Sequence, residues 1–126
     1  SEYNSTNLLN DLNTSVKLMK DRIIKYNLNL KEINRTNFFI FVKKINKIYK
    51  IDFKKLVCGE FKGEKKSIKK NFDKSLILKV DFDIIANILN RKLHINNCII
   101  GFCLNWERYP NKFNSELYDA LNFFHK

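Results

Sequence analysis

The sequence predicts an α+β fold: a mixed, mostly antiparallel sheet of about five strands covered by an N-terminal helix, a middle helix and a C-terminal helix. Three observations carry this expectation. Leu9, Leu12, Val16, Met19, Ile23 and Tyr26 recur at alternating steps of three and four, the spacing of one helix face. From Asn37 the period falls to about two, with β-branched and aromatic residues gathered at Phe38 to Val42 and again from Tyr49 to Val57. Beyond residue 80 a helical stripe, an alternating run and a second helical stripe follow one another.

Taken in order, Ser, Asn and Thr dominate residues 1 to 6, a frayed start, and the first helix runs from about Thr6 to Asn27. Its apolar face suits packing on the domain's own sheet, because a coiled coil needs the pattern sustained for longer. Phe38 to Val42 forms a strand and Ile45-Asn46-Lys47 a turn. In the next strand Tyr49, Ile51 and Phe53 alternate with Lys50, Asp52 and Lys54, which leaves one wet face. Residues 58 to 74, with Gly59, Gly63 and a lysine run, read as a basic loop or splayed hairpin tip. Ser75 to Phe82 is a further strand. Asp81 or Asp83 caps a helix with Ile84, Ile85, Ile88 and Leu89 on one stripe. Cys98 to Trp106 forms the last strand, which Pro110 ends for want of a ladder donor. Asn114 or Ser115 then caps a helix through Leu117, Ala120, Leu121 and Phe124.

A chain of 126 residues with 44% hydrophobic and 13% aromatic content is one domain with enough apolar mass to bury a core. The longest apolar run, Phe38 to Val42, is far below the roughly 20 residues of a membrane span. No N-terminal segment joins a basic start to an apolar stretch and a cleavage site, so the expected location is cytoplasmic.

The formal charge is +11, and Lys outnumbers Arg by 20 to 4. Nucleic-acid recognition leans on Arg for bidentate and stacked contacts, so this composition disfavours it. The charge is uneven: residues 43 to 79 hold thirteen lysines against four carboxylates, a net +9. Lys43, Lys44, Lys47, Lys54, Lys55, Lys65, Lys66, Lys69 and Lys70 form the candidate basic patch. It is either a solvated face or a field that steers an acidic protein surface or a phosphate-bearing ligand.

Three cysteines without a Cys-x-x-Cys give neither a disulfide framework nor a zinc ribbon. Cys58, Cys98 and Cys103 also lack the His offsets of a Rieske-type cluster. Buried thiols are the expected reading, against a zinc site converging from these cysteines with His94 and His125. No metal set, triad or paired acid and base stands out, so the chain is expected to be non-catalytic on its own, without a cofactor.

The residues left to weigh lie between 94 and 125. Asn96-Asn97 suits a turn or a helix cap, and Gly101 marks a bulge or a close backbone approach. Trp106 and Arg108 share one face of an extended strand, open to cation–π contact. Arg108 serves either a bidentate carboxylate or phosphate contact or an internal salt bridge, for instance to Glu116 or Asp119. His94 and His125 are either hydrogen-bonded structural residues or groups that titrate or bind metal.

Together, His94, Asn96, Asn97, Ile100, Gly101, Leu104, Trp106, Arg108, Pro110, Phe113, Leu121, Phe123, Phe124 and His125 form a string that resembles one family. It is similar to the C-terminal region of proteins that join a metallo-β-lactamase fold to sugar-nucleotide hydroxylase chemistry, typified by CMP-N-acetylneuraminate hydroxylase. Ile95 departs from that pattern, which usually has Trp. The metal ligands of those enzymes form an upstream His-x-His-x-Asp-His cluster that has no counterpart in this sequence. The resemblance therefore implies an accessory module whose partner is a metal-binding catalytic domain, in cis or in trans. His94, Asn96, Asn97, Gly101, Trp106, Arg108, Pro110 and His125 are then its interface or ligand candidates.

The predicted element order is also similar to the sterol-carrier-like fold, whose mixed five-stranded sheet often encloses an apolar tunnel. Several metallo-β-lactamase enzymes carry such a module at the C-terminus. A free-standing lipid- or acyl-binding module is the alternative reading, and a basic nucleic-acid-binding domain a weaker one. A homo-oligomer is a further expected arrangement.

Overall fold

The stripe at the N-terminus forms helix α1, Ser5–Lys25, in a computed structural model that describes residues 2–25, 35–91, 105–109 and 125. Leu8, Leu12, Val16 and Met19 are fully buried along it. Leu8, one position before the expected Leu9, takes the inner place, and Leu9 packs beside it at the rim. Side chains of Asn4 and Asn7 close the first turn of α1. The Asn4 side chain accepts from the Asn7 backbone N–H at 3.0 Å, and the Asn7 side chain accepts from the Asn4 N–H at 2.9 Å. This reciprocal pair caps two orphan donors of the first turn. Tyr3 then donates its hydroxyl to Asp11 at 2.6 Å, tying the residue before the cap to the helix.

The strands are β1 (Asn37–Val42), β2 (Lys47–Asp52), β3 (Val57–Phe61), β4 (Ser75–Val80) and β5 (Asn105–Tyr109). Two further helices, α2 (Lys65–Asn71) and α3 (Phe82–Leu89), flank β4 in sequence. The spatial order is β3-β2-β1-β4-β5, with β1 and β4 parallel and every other pair antiparallel. This is the mixed, mostly antiparallel five-stranded sheet that the sequence predicts. The expected C-terminal helix lies outside the described residues.

Several boundaries differ from the sequence reading: β4 stops at Val80, with Phe82 opening α3, and β5 continues past Trp106 to Tyr109. The run from Tyr49 to Val57 is not one strand, because the chain turns over residues 53–56. Asp52 directs this turn: its carboxylate accepts the backbone N–H groups of Lys54 and Lys55, both at 2.9 Å. Leu56 closes the turn at φ 55, a left-handed conformation in which its side chain still reaches the core. The segment 58–74 is likewise not a loop. Gly59 sits within edge strand β3, where a Cβ would meet open space, and the lysine run winds into α2 around the fully buried Ile68. Asp81 does occupy the N-cap of α3, but its side chain makes no capping bond and instead lies 3.8 Å from the Lys43 ammonium.

The alternation along the strands divides the residues between two layers. On one face Phe38, Ile40, Val42, Tyr49, Ile51, Cys58, Leu76, Leu78 and Val80 meet α1 and the Phe82, Ile85, Ile88 and Leu89 stripe of α3. The other face is smaller: Phe39, Ile48 and Ile77 bury Ile68 of α2, with Phe41, Phe61, Phe72 and Tyr109 at the margin. Strand β1 is central and covered on both sides, which explains its unbroken apolar sequence.

Asn13 fixes α1 to the β3 edge. Its Nδ2 donates to the Cys58 carbonyl at 2.8 Å, and its Oδ1 accepts from the Cys58 N–H at 2.9 Å. One amide thus satisfies both outward backbone groups of an edge residue, where another strand would otherwise pair.

Candidate functional site

The outer sheet face, under α2, concentrates the charge. Register places Lys50 beside Phe39, and Phe39 beside Ile77, which pairs in turn with Glu107. Lys79 points to the same face two residues beyond Ile77, and Tyr109 two beyond Glu107. Helix α2 adds Lys65 and Lys69. The Lys50 ammonium rests 5.9 Å from the Phe39 ring and 6.0 Å from the Phe72 ring. Lys65 lies 6.0 Å from the Phe41 ring and Lys69 5.3 Å from the Tyr109 ring. Such contacts occur roughly once per 70–80 residues, so three lysines engaged in this way on one sheet face are a local concentration.

Glu107 is the anionic centre of that face. Its Oε1 accepts from Lys65 and from Lys79, both at 2.8 Å, and its Oε2 accepts from the Tyr109 hydroxyl at 3.0 Å. Partial burial alone would push this carboxyl up, but the hydrogen bonds from Lys65, Lys79 and Tyr109 overcome it and hold the group down at about 2. Donating that hydrogen bond to Glu107 raises the Lys79 ammonium. Asp52, the other carboxylate on this face, is turned to the backbone N–H groups of Lys55 and Lys54, which lower it. Of the four ammoniums on this face, those of Lys65 and Lys79 share the Glu107 carboxylate, and those of Lys50 and Lys69 rest against aromatic rings. Lys50 also lies near enough to Asp52 for its charge to help lower that carboxyl.

The lysines contiguous in sequence are not one patch in space. Lys43 and Lys44 lie in the β1–β2 turn, and Lys54 and Lys55 in the β2–β3 turn at the far end of six-residue β2, roughly 20 Å away. Lys47 is neutralised in part by Glu60 at 3.7 Å, and Lys66 by Glu64 at 3.2 Å. Only Lys65, Lys69 and Lys70 of the predicted patch belong with the outer face. Lys50 and Lys79 complete it; both fall in the lysine-rich stretch, but only their register assigns them here. Glu107 escapes sequence reasoning because it adjoins Arg108, although the alternation within Asn105–Tyr109 sets Glu107 and Tyr109 opposite Trp106 and Arg108.

Trp106 and Arg108 do share a face, opposite Leu78 and Leu76 on β4. This is the face of α1 and α3, and Trp106 packs against that main core. His125 meets the last turn of α1, where the Arg22 guanidinium donates to the His125 carbonyl and lies 3.2 Å from its Nδ1. His94, Asn96, Asn97, Gly101 and Pro110 lie outside the described residues.

Cys58 is buried at 3% exposure, and burial pushes its thiol up to about 12. Among the described residues no three His, Cys, Asp or Glu side chains gather to hold a metal ion. Cys58 is held at Asn13 and His125 at Arg22, separated along α1 by roughly 13 Å. Those two side chains do not share a zinc ion. No described helix is long and apolar enough to cross a membrane.

No protein-family model matches this chain, and no curated protein matches it. Among solved structures it is similar to sterol carrier protein 2 like 2 from Aedes aegypti, at 12% identity and a TM-score of 0.46 over 86% of this chain and 94% of that one. It is also similar to a double mutant of the sec-alkyl sulfatase PisA1, at 10% identity and a TM-score of 0.48 over 89% of this chain. This chain spans only 17% of that enzyme.

Proposed function

We propose that this chain is a non-catalytic accessory domain that docks on a catalytic polypeptide, in cis or in trans, through the outer face of its sheet. The observation that carries this reading is the asymmetry between the two faces. One is packed under α1 and α3, with Leu8, Leu12, Val16, Ile85 and Leu89 fully buried. Among the described residues, the other carries one seven-residue helix, α2, and ammonium groups held over aromatic rings. Lysines seated on a packed aromatic layer suit a protein interface in which charge selects the partner. The string from His94 to His125 resembles the C-terminal region of metallo-β-lactamase-fold hydroxylases, so the expected partner is a metal-binding catalytic domain.

The test is purification of the chain from its native extract under low salt, with sizing and metal analysis of whatever co-elutes. A stoichiometric metal-binding polypeptide is the expected result. A chain that elutes alone at the size of one copy contradicts the proposal. A homo-oligomer, or one copy carrying an apolar ligand between sheet and helices, would each replace it with a different function.

A further inference from the structure

We infer that the outer sheet face binds a carboxylate-rich segment of a protein, laid across α2 between Lys50 and Lys69. The inference rests on the docking reading above and specifies what docks. Lys50 projects from β2 and Lys69 lies over Tyr109 of β5, three strand spacings apart, or roughly 14 Å. About four residues of extended chain span that distance, so one short acidic segment reaches both ammoniums. Lys70, next to Lys69 in sequence, stands exposed on α2.

Charge complementarity favours carboxylates. Among the described residues, this face sets the ammoniums of Lys50, Lys65, Lys69 and Lys79 against two carboxylates, Glu107 between Lys65 and Lys79 and Asp52 near Lys50, which leaves a net positive surface. Lys50 and Lys69 are placed by ring contacts, so less side-chain freedom is lost when an anion arrives. Nucleic acid fits the same charge less well. Phe39 is fully buried, and Phe39, Phe61 and Phe72 are stacked edge-on against one another at 5.2 to 6.0 Å. These rings offer no open platform for bases. Arg108, the β5 residue suited to bidentate phosphate contact, points to the opposite face.

The experiment measures fluorescence anisotropy of a labelled decaglutamate peptide against the full chain at 50 and 300 mM NaCl. Binding at the lower salt that weakens at the higher is expected. The triple variant Lys50→Gln, Lys69→Gln, Lys70→Gln should weaken it about tenfold. The triple Lys44→Gln, Lys54→Gln, Lys55→Gln removes the same charge from the two turns and should change it by less than about twofold. If the first triple fails to fold, Lys70→Glu alone, on an exposed helix position, should weaken binding about threefold.

Equal losses in both triples, no binding at 50 mM NaCl, or tighter binding of a ten-nucleotide oligothymidine would each overturn the inference. Its failure is distinguishable from that of the docking reading. Crosslinks from this face to a neutral surface of a co-purifying catalytic polypeptide overturn the carboxylate class alone. A chain recovered as a lone monomer that still binds decaglutamate here overturns docking on a catalytic partner alone.

Discussion

Replacing Glu107 with Gln should move stability and binding in opposite directions. The substitution keeps the side-chain shape and an acceptor for one donor, but removes the charge shared by Lys65 and Lys79. In the fold the carboxyl is held at about 2 against an ordinary value of 4.5, which unscreened corresponds to roughly 3 kcal/mol. The three side chains keep 24 to 35% of their surface in water, so screening reduces the expected loss to about 1 kcal/mol. A depressed carboxyl contributes stability that is fully present above pH 4.5 and is lost as the pH falls toward 2. The difference between wild type and variant, read by urea denaturation, should therefore be full at pH 7 and shrink steadily below about 4.5.

The same change strengthens the positive field of the face. Removing one negative charge roughly 7 Å from a bound carboxylate, at the dielectric of water, is worth about 0.6 kcal/mol, or two- to threefold in affinity. Decaglutamate should thus bind the less stable variant more tightly at pH 7. A variant as stable as wild type at pH 7, or one that binds the peptide more weakly, would refute the account of Glu107 as the shared counter-charge of this surface.

Further outcomes follow from the packing. Asn13→Ala strands the N–H and carbonyl of Cys58 and should cost about 2 kcal/mol in urea denaturation, with fast amide exchange at Cys58; unchanged exchange would show that Asn13 does not close the β3 edge. Ile68→Ala removes the fully buried anchor of α2 and should cost about 3 kcal/mol and loosen peptide binding as Lys65 and Lys69 lose their footing; unchanged binding would detach α2 from the proposed surface. The Cys58 thiol, pushed up to about 12 by burial, should resist alkylation at pH 8 until the chain is unfolded; modification site-mapped to Cys58 in the folded protein would contradict its placement under α1.

The fold was legible where one periodicity ruled. The three-and-four stripe of α1, the doubly covered run of β1 and the stripe of α3 all announce themselves because burial on a known number of sides leaves a fixed pattern. Reading failed where a local device overrode the pattern. Asp52 breaks an alternation that continues to Phe53 by capping two backbone N–H groups, and Gly59 looks like a breaker although it sits in an edge strand with space beside it. The helical seven residues of α2 are mostly lysine, and a single Ile68 inserted into the Phe39, Ile48 and Ile77 layer supplies their buried anchor.

The candidate site was legible as charge and not as geometry. Residues 43 to 79 carry the excess of lysine, but a hairpin sends successive turns to opposite ends of a sheet, so Lys43 and Lys54 part company. What joins Lys50, Lys65, Lys69 and Lys79 is strand register and the path of α2 across the sheet, neither of which a charge count contains. Glu107 and Tyr109 belong to the site through the alternation of β5, whose Trp106 and Arg108 turn to the other face.

Docking on a catalytic partner is tested most directly by native mass spectrometry of the chain isolated from its own extract at low salt. Docking in trans is expected to give a complex of one copy with a metal-binding polypeptide that dissociates as salt rises, and docking in cis a single longer metal-binding polypeptide, each with crosslinks that run from Lys50, Lys69 or Lys70. A mass of 15.1 kDa and nothing heavier at every salt concentration would contradict it.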